Sequence, residues 1–548
     1  MGCGPLPDAD PGEDDGTGST SSAVDDGVDD GIDDGVDDDG DGDGSGSGSG
    51  GAEQTDTGDA TDGSGDGGST GGSDAAIEWQ PCPVFTGGEG AEAECATVDV
   101  PADWADPAGE SIELFVKRIG AMEGDKQLWM LMGGPGGSAR SYESSAATYT
   151  QADPGLTVYL LDHRGTGRST LLECPSEEAA ASEEGRIITL DETPACLASL
   201  AATYGDTLAQ FNTTNAAFDL GWLVDEVRQD EAVHVFGSSY GTYWAQRYLH
   251  HFGDQPDSVT LLGIAEPALS FTTFDPDFND AGLALMADCG DDPTCSAVMG
   301  ADPAATMAAT YAAVEAGQCA AAGLSRDTLR TYFSFLVSFG GHERSRIPAT
   351  LHRLQRCNAA DVTALQNAAP HMQNPLSALL DDPLFSVVIN RHISLSEMWS
   401  APFPSQAEID AWEDDLLFTL ASSSSRFEVA ELWPTYAPPP EDDVFAETDV
   451  PILMLNGEFD PNTPLPEATL VGDHFTGPNQ RFFVIPGGNH GWHSPTTEGY
   501  GCAENMFFNF IQDPTGPRLD CLEIVEPIQW AGTSADAQTF FGTDDLYD

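Results

Sequence analysis

The sequence predicts an α/β protein: a mostly parallel, twisted sheet with flanking helices, an inserted helical region and an extended acidic tail ahead of it. Three observations carry this prediction. Short apolar runs at 128–132, 157–161, 232–236, 259–264, 451–455 and 481–485 recur along the chain, most of them feeding a loop rich in glycine or polar residues. Runs of that length without polar alternation are what strands buried on both faces require. The stretch 242–249 follows one of them with helix-period apolar residues and no breaker. Between 270 and 445 the character changes to Ala-rich, helix-patterned sequence, as at 283–286 and 307–314, with prolines such as Pro402, Pro404 and Pro434 marking loops.

The 548 residues carry 92 acids against 19 bases, a formal charge of -73. Nucleic acid and anionic membrane surfaces are poor partners on electrostatic grounds. About 22 of the acids fall in residues 1–76, which contain no Lys or Arg and repeat a Val-Asp-Asp-Gly unit before Gly/Ser and Gly/Asp/Thr tracts. Few apolar groups and strong self-repulsion predict a disordered, extended tether there. Asp37-Asp38-Asp39-Gly40-Asp41-Gly42 opens like a calcium loop, but the twelfth position is Gly48 where a glutamate is needed, so it reads as a solvated spacer. No stretch is long and apolar enough to span a membrane.

Of the 11 cysteines, ten lie between 82 and 521 in sequence-near pairs and none forms a C-x-x-C. Disulfides and an oxidising, extracytoplasmic compartment are expected, and zinc or thioredoxin chemistry has no support. Nearest-neighbour pairing gives 82–95, 174–196, 289–295, 319–357 and 502–521, with other connectivities open. Cys3 is left over. Met1-Gly2-Cys3-Gly4 resembles the end of a bacterial lipobox. With a start upstream, Cys3 would carry a lipid anchor and residues 1–76 would tether a secreted, outer-surface or periplasmic bacterial protein.

Order is expected from Ile77. Residues 112–116 alternate weakly and predict an early edge strand. The run 128–132 enters Gly133-Gly134-Pro135-Gly136-Gly137-Ser138, which lacks the Gly-Lys-Ser/Thr of a phosphate loop. Its better use is to offer backbone N–H groups to an oxyanion, Gly134 being the candidate donor. After 157–161 comes Asp162-His163-Arg164-Gly165-Thr166-Gly167-Arg168-Ser169, where Asp162 and Arg164 are expected to pair and brace the loop. His163 precedes any candidate nucleophile in the chain and is read as a loop residue.

The run 232–236 ends in Gly237-Ser238-Ser239-Tyr240-Gly241 and the helix follows at once. Strand, Gly-x-Ser-x-Gly and helix is the context of a nucleophile elbow, with Ser239 at a helix N-terminus and Tyr240 supplying a second oxyanion N–H. Run 451–455 delivers Asn456-Gly457-Glu458-Phe459-Asp460-Pro461. Asp460 is the candidate orienting acid, and Glu458 its competitor. Run 481–485 delivers Pro486-Gly487-Gly488-Asn489-His490-Gly491-Trp492-His493. His490 outranks His493 because the surrounding glycines leave room for a mobile imidazole. The chain order Ser239, Asp460, His490 is that of α/β-hydrolases.

These motifs together resemble the tripeptidyl aminopeptidase and proline iminopeptidase branch of the α/β-hydrolase fold, particularly bacterial members with a TAP-like C-terminal segment. The resemblance runs through residues 77–270 and 446–525. It includes Trp79-Gln80-Pro81-Cys82, Cys95-Ala96-Thr97-Val98-Asp99-Val100-Pro101, Asn215-Ala216-Ala217-Phe218-Asp219-Leu220 and Asp460-Pro461-Asn462-Thr463-Pro464. Met132 departs from the histidine many iminopeptidases have before Gly-Gly-Pro-Gly, and leaves the triad intact. The resemblance implies a core in two parts, 77–270 and 446–548, around a helical cap at 271–445. It also implies a serine exopeptidase acting on peptides with a free N-terminus. A carboxylate would hold the α-ammonium, with Glu266 as candidate. No metal or organic cofactor is implied. The rival readings are a carboxylesterase or lipase of the same fold and a non-catalytic surface binding protein on the same scaffold.

Overall fold

The computed structural model describes residues 77–182, 185–373, 375, 382–492, 497–517 and 521–548. The expected tether at 1–76, with Cys3, and also His493 lie outside them. Among the described residues nine strands, β1 (Gln80–Cys82), β2 (Ala93–Pro101), β3 (Ser111–Gly120), β4 (Lys126–Leu131), β5 (Leu156–Leu161), β6 (Ala232–Ser239), β7 (Ser258–Ile264), β8 (Ile452–Gly457) and β9 (Gln480–Ile485), form one sheet in the order 1-2-3-5-4-6-7-8-9. The first three pairings are antiparallel and those from β5 through β4 to β9 are parallel. Every residue of β5, β7 and β8 is buried, which is why their sequences are mostly apolar and lack a polar face.

Helices cover both faces. Glu143–Ala152 and Thr497–Gln512 close one side around Tyr149, Phe236, Phe507 and Phe510; Thr213–Val227 and Tyr240–His251 close the other around Trp129, Leu220, Trp244 and Tyr248. Trp129 stacks on Tyr159 of the adjacent strand with ring centroids 4.4 Å apart. Because β4 lies between β5 and β6, the chain reverses its winding there. In open parallel sheets such a reversal leaves a crevice at the carboxyl ends of the strands. The Gly133–Gly134 loop after β4 and Ser239 at the end of β6 meet at that crevice.

Between β7 and β8 the chain is helical, from Phe274–Asp291 through Ser422–Ala430, with a core of its own that includes Met286, Phe333, Leu351 and Leu365. The last residues, expected with the second part of the sheet core, join this helical core instead, through Trp530, Phe540, Phe541 and Leu546. All five nearest-neighbour disulfides are present: 82–95, 174–196, 289–295, 319–357 and 502–521.

Two local expectations are corrected. The strand expected at an edge, β3, lies inside the sheet, because β2 pairs along its whole length on the outer side and β1 pairs beyond that. Asp162 and Arg164 do not pair with one another. They sit in a tight turn, closed by the Thr166 N–H on the His163 carbonyl at 3.0 Å, and reach different neighbours. Asp162 accepts from Ser138 Oγ and the Ala139 N–H, both at 2.8 Å, and from Arg168, so it joins the loops after β4 and β5. Arg164, fully buried, grips Asp219 in two parallel bonds of 2.7 and 2.6 Å and donates to the Ala102 and Gln210 carbonyls.

Removing one partner of a buried, bidentate pair leaves the other charge unpaired at a cost of about 3–5 kcal/mol. Asp219→Asn should therefore lower the unfolding free energy measured by urea titration by an amount in that range. A loss below about 1 kcal/mol would mean that Arg164 is satisfied by the carbonyls alone.

Candidate active site

Ser239 has φ 58° and ψ -129°, a left-handed backbone that a non-glycine residue rarely adopts. The turn around it excludes side chains on both flanks. A Cβ on Gly237 would lie 2.3 Å from the Gly241 carbonyl oxygen, and one on Gly241 would lie 2.1 Å from that of Leu131. Thr242 Oγ donates to the Ser239 carbonyl at 2.7 Å and accepts the Ala265 N–H at 2.9 Å, tying the elbow to the segment after β7. The glycine-rich loop stands against the serine: a Cβ on Gly133 would be 3.2 Å from Ser239 Oγ.

Tyr240 opens the helix after the serine, where backbone N–H groups have no intrahelical acceptor. Its buried side chain is anchored beneath the site. His163 Nδ1–H donates to the Arg164 carbonyl at 2.6 Å, so its Nε2 accepts from the Tyr240 hydroxyl at 3.1 Å. Thr213 Oγ then donates to the tyrosine oxygen at 2.7 Å. Burial pushes the His163 imidazole down to about 3, so it stays neutral and structural.

Asp460 and His490 come together at the ends of β8 and β9. The Asp460 oxygens lie 2.9 and 2.8 Å from His490 Nδ1, and the carboxylate also accepts the Asn462 and Thr463 N–H groups and Thr463 Oγ. That hold on Nδ1 leaves Nε2 as the nitrogen free to exchange a proton. Glu458, the competing acid, is exposed and accepts the Gly487 N–H at 2.8 Å. The imidazole lies across the end of β7, where a Cβ on Gly263 would be 3.2 Å from its Cε1 and Nδ1. The next residue, Ile264, is the register partner of Ser239. Four neighbouring strands thus bring Ser239, His490 and Asp460 to one edge of the sheet.

The histidine loop is held from the helical region, which sequence reasoning did not foresee. The His490 N–H donates to the Ser338 carbonyl at 2.8 Å, and Ser338 Oγ donates to Asn462 at 2.8 Å. Buried Arg344 donates to the carbonyls of Val337 and Gly487, both at 2.6 Å, so one guanidinium clamps the helix end Arg326–Phe339 to the loop. Burial draws this guanidinium down to about 10, against the opposing pull of Asp460. No local pattern in the sequence marks these residues.

A cavity of about 30 Å³ opens beside Ser239, with Gly134 and Tyr240 in its lining and Leu269, Phe271, Phe274 and Met398 as apolar walls. Next to Met398, buried Glu397 accepts the Thr213 N–H at 2.9 Å, joining this wall to the hydrogen bonds below Tyr240. Glu266 is half-buried and burial raises its carboxyl. Sequence reasoning missed two further carboxylates. Burial, with the charges of Asp277, Glu266 and Asp460, pushes Glu467 up to about 8, and burial with Asp280 pushes Asp277 up to about 6. Glu467 Oε2 is buried without a hydrogen-bond partner. Among the described residues no group of His, Cys, Asp or Glu is arranged to hold a metal ion.

Residues 128–283 match the family model described as alpha/beta hydrolase fold, and residues 421–522 match the one described as TAP-like protein. Tripeptidyl aminopeptidases of Streptomyces coelicolor and Streptomyces lividans are each 26% identical over 212 residues, a stretch spanning 35% of this chain and 39% of the relative. The solved structures similar to it include Rv0554 from Mycobacterium tuberculosis (15% identity, TM-score 0.35, 76% of this chain and 98% of that one). They also include a proline iminopeptidase-related protein from Thermus thermophilus (18%, TM-score 0.29, 77% and 99%). Two family matches, one reaching into each end of the helical insertion, give the chain the α/β-hydrolase fold with a TAP-like C-terminal segment.

Proposed function

We propose that the protein is a serine exopeptidase that hydrolyses peptide bonds near a free N-terminus. The observation that carries this reading is Glu467, which has one buried oxygen without a partner and lies within reach of the charges of Asp277, Glu266 and Asp460. A carboxylate in a recess selects chain ends, because an ammonium satisfies it where an acylated amine leaves it unpaired. Ser239 Oγ attacks the carbonyl carbon while His490 Nε2 takes its proton, and Asp460 holds the tautomer and the imidazolium. The Gly134 and Tyr240 N–H groups receive the developing oxyanion. His490 then protonates the leaving amine, and water, deprotonated by the same nitrogen, releases the acyl group from the serine. The five disulfides favour an extracytoplasmic enzyme. On this reading residues 271–445 are the cap, and residues 1–76 are a tether anchored through a lipidated Cys3.

The second reading is a carboxylesterase or lipase, favoured by the apolar walls Leu269, Phe271, Phe274 and Met398. Alanyl-alanyl-prolyl, prolyl and alanyl fluorogenic amides, each with free and acetylated amino ends, separate the two beside a short-chain nitrophenyl ester. Turnover restricted to free amines is expected. Equal turnover of acetylated substrates, or ester cleavage alone, would give the site to the esterase reading.

Ser239→Ala should abolish turnover, and Asp460→Asn should lower kcat about 10⁴-fold through loss of the correct tautomer. Activity surviving in Ser239→Ala would remove the serine mechanism.

Glu467→Gln should raise KM for free-amine substrates at least about tenfold while leaving ester kcat within about twofold. It also carries a stability signature. Folding raises this carboxyl from 4.5 to about 8. The folded chain therefore keeps a proton that the unfolded chain has lost, and stability falls as pH rises through that window. Glu467→Gln should accordingly melt several degrees higher than the parent at about pH 9, with the difference closing at about pH 4. An equal difference at both pH values would refute the burial of an unpaired carboxylate here.

A further inference from the structure

A second, much larger depression lies away from the serine. It has a volume of about 1010 Å³ and shares no lining residue with the catalytic cavity. Its walls include Leu190, Leu395, Trp399, Phe403, Phe427 and Leu432. Met398 faces the serine cavity while its neighbour Trp399 faces this groove, so one short segment after the helix Val387–Ser396 divides the two. Among the described residues nine large apolar side chains are strongly exposed, and three of them line this one groove: Phe403 at 59%, Leu432 at 48% and Leu190 at 43%. Ile187, at 43%, stands three residues before Leu190. Single exposed apolar side chains are ordinary; a cluster around a concave surface marks a place where something binds.

The groove also carries charge of one sign. Asp191, Glu428 and Glu431 line it, all exposed, and none has a basic partner among the described residues. The adjoining helix Gln406–Asp415 adds Glu408, Asp410, Glu413, Asp414 and Asp415. This charge narrows the occupant. Residues 1–76, with about 22 acids and no base, would be repelled, and so would a second copy of a chain carrying -73. A neutral apolar ligand would leave the carboxylates unused. We propose that the groove is a docking site for a basic polypeptide segment bearing large apolar side chains. Aromatic and leucine walls take its apolar residues, and Asp191, Glu428 and Glu431 take its Lys or Arg residues. The site is independent of Ser239 and of the reaction proposed there.

The test is fluorescence anisotropy on the full chain with a labelled, N-acetylated and C-amidated octapeptide of alternating Lys, Leu and Phe. Two control peptides replace Lys by Glu, or Leu and Phe by Ser. The basic apolar peptide should bind with a Kd of ~10–100 μM and weaken with salt, while neither control binds at that range. Phe403→Ser and Leu432→Ser should each weaken binding about tenfold. Glu428→Gln with Glu431→Gln should weaken it about fivefold and flatten the salt dependence. Ser239→Ala, and Leu470→Ser at an exposed apolar residue elsewhere, should bind as the parent does, each variant being checked for an unchanged near-ultraviolet circular dichroism spectrum. Equal binding of the acidic peptide, or parent-like binding by Phe403→Ser and Leu432→Ser together, would overturn the proposal. Loss of binding after covalent blocking of Ser239 would overturn it too, by assigning the peptide to the catalytic cavity. Dimers in sedimentation that Phe403→Ser dissolves would give the groove to a second copy instead.

Discussion

The structure depends first on a steric constraint at the end of β6. The turn that holds Ser239 at φ 58° closes only because Gly237 and Gly241, two positions to either side, lack side chains, and β4 passes close enough that Gly241 nearly touches the Leu131 carbonyl. A strained residue of this kind costs about 1–3 kcal/mol and persists only where its surroundings over-determine it. Here the determinants come from three directions: the strand β4, the Thr242 hydroxyl spanning to Ala265, and the Tyr240 side chain pinned by His163 and Thr213. The same turn that lifts the serine also aims the first N–H groups of the helix at the space above it. Ser239 and the start of the helix are therefore one geometric object, and the glycine-rich loop after β4 stands against it.

The histidine is governed differently. Its ring is oriented by Asp460, but its backbone is carried by the helical region, through Ser338, Gly340 and Arg344. Those contacts join the loop after β9 to an insertion that begins after β7. The wall of the serine cavity is linked to the same insertion through Met398 and Glu397. An insertion that both shapes the cavity and fixes the imidazole cannot shift without altering the geometry at the reacting atoms. The cavity wall and the His490 loop are thus tied to the same body of helices.

What was legible in the sequence follows from this division. The elbow, the Asp460 loop and the His490 loop each depend on residues within a few positions of one another, so glycines, a strand and chain order sufficed to find them. The disulfides were legible for the same reason, since each pair closes a short loop. Long-range partnerships were not. Arg164 and Asp219 are 55 residues apart, and the nearer Asp162 was the natural but mistaken partner. Arg344 reaches a loop 143 positions away, and only the fold puts a helix end beside Gly487. The edge assignment of β3 failed because β2 alternates polar and apolar residues through Ala93–Pro101, a pattern too weak to be read as a nine-residue partner.

Charge explains one further feature. The chain has so many acids that an isolated carboxylate pointing at water means little. Glu467 is different, because it is turned into the protein near other acids with an oxygen unsatisfied. Burying such a group costs folding free energy that a glutamine or leucine would not. Two other buried acids are matched by donors: Asp275 accepts from Thr419 and from backbone N–H groups at the start of the helix Ser422–Ala430, and Asp361 pairs with Arg356. The protein satisfies these carboxylates and leaves one Glu467 oxygen without a donor, within reach of the charges of Asp277, Glu266 and Asp460. A donor that reached the open Glu467 oxygen would recover part of that cost, which is how a buried acceptor without a partner holds binding energy in reserve.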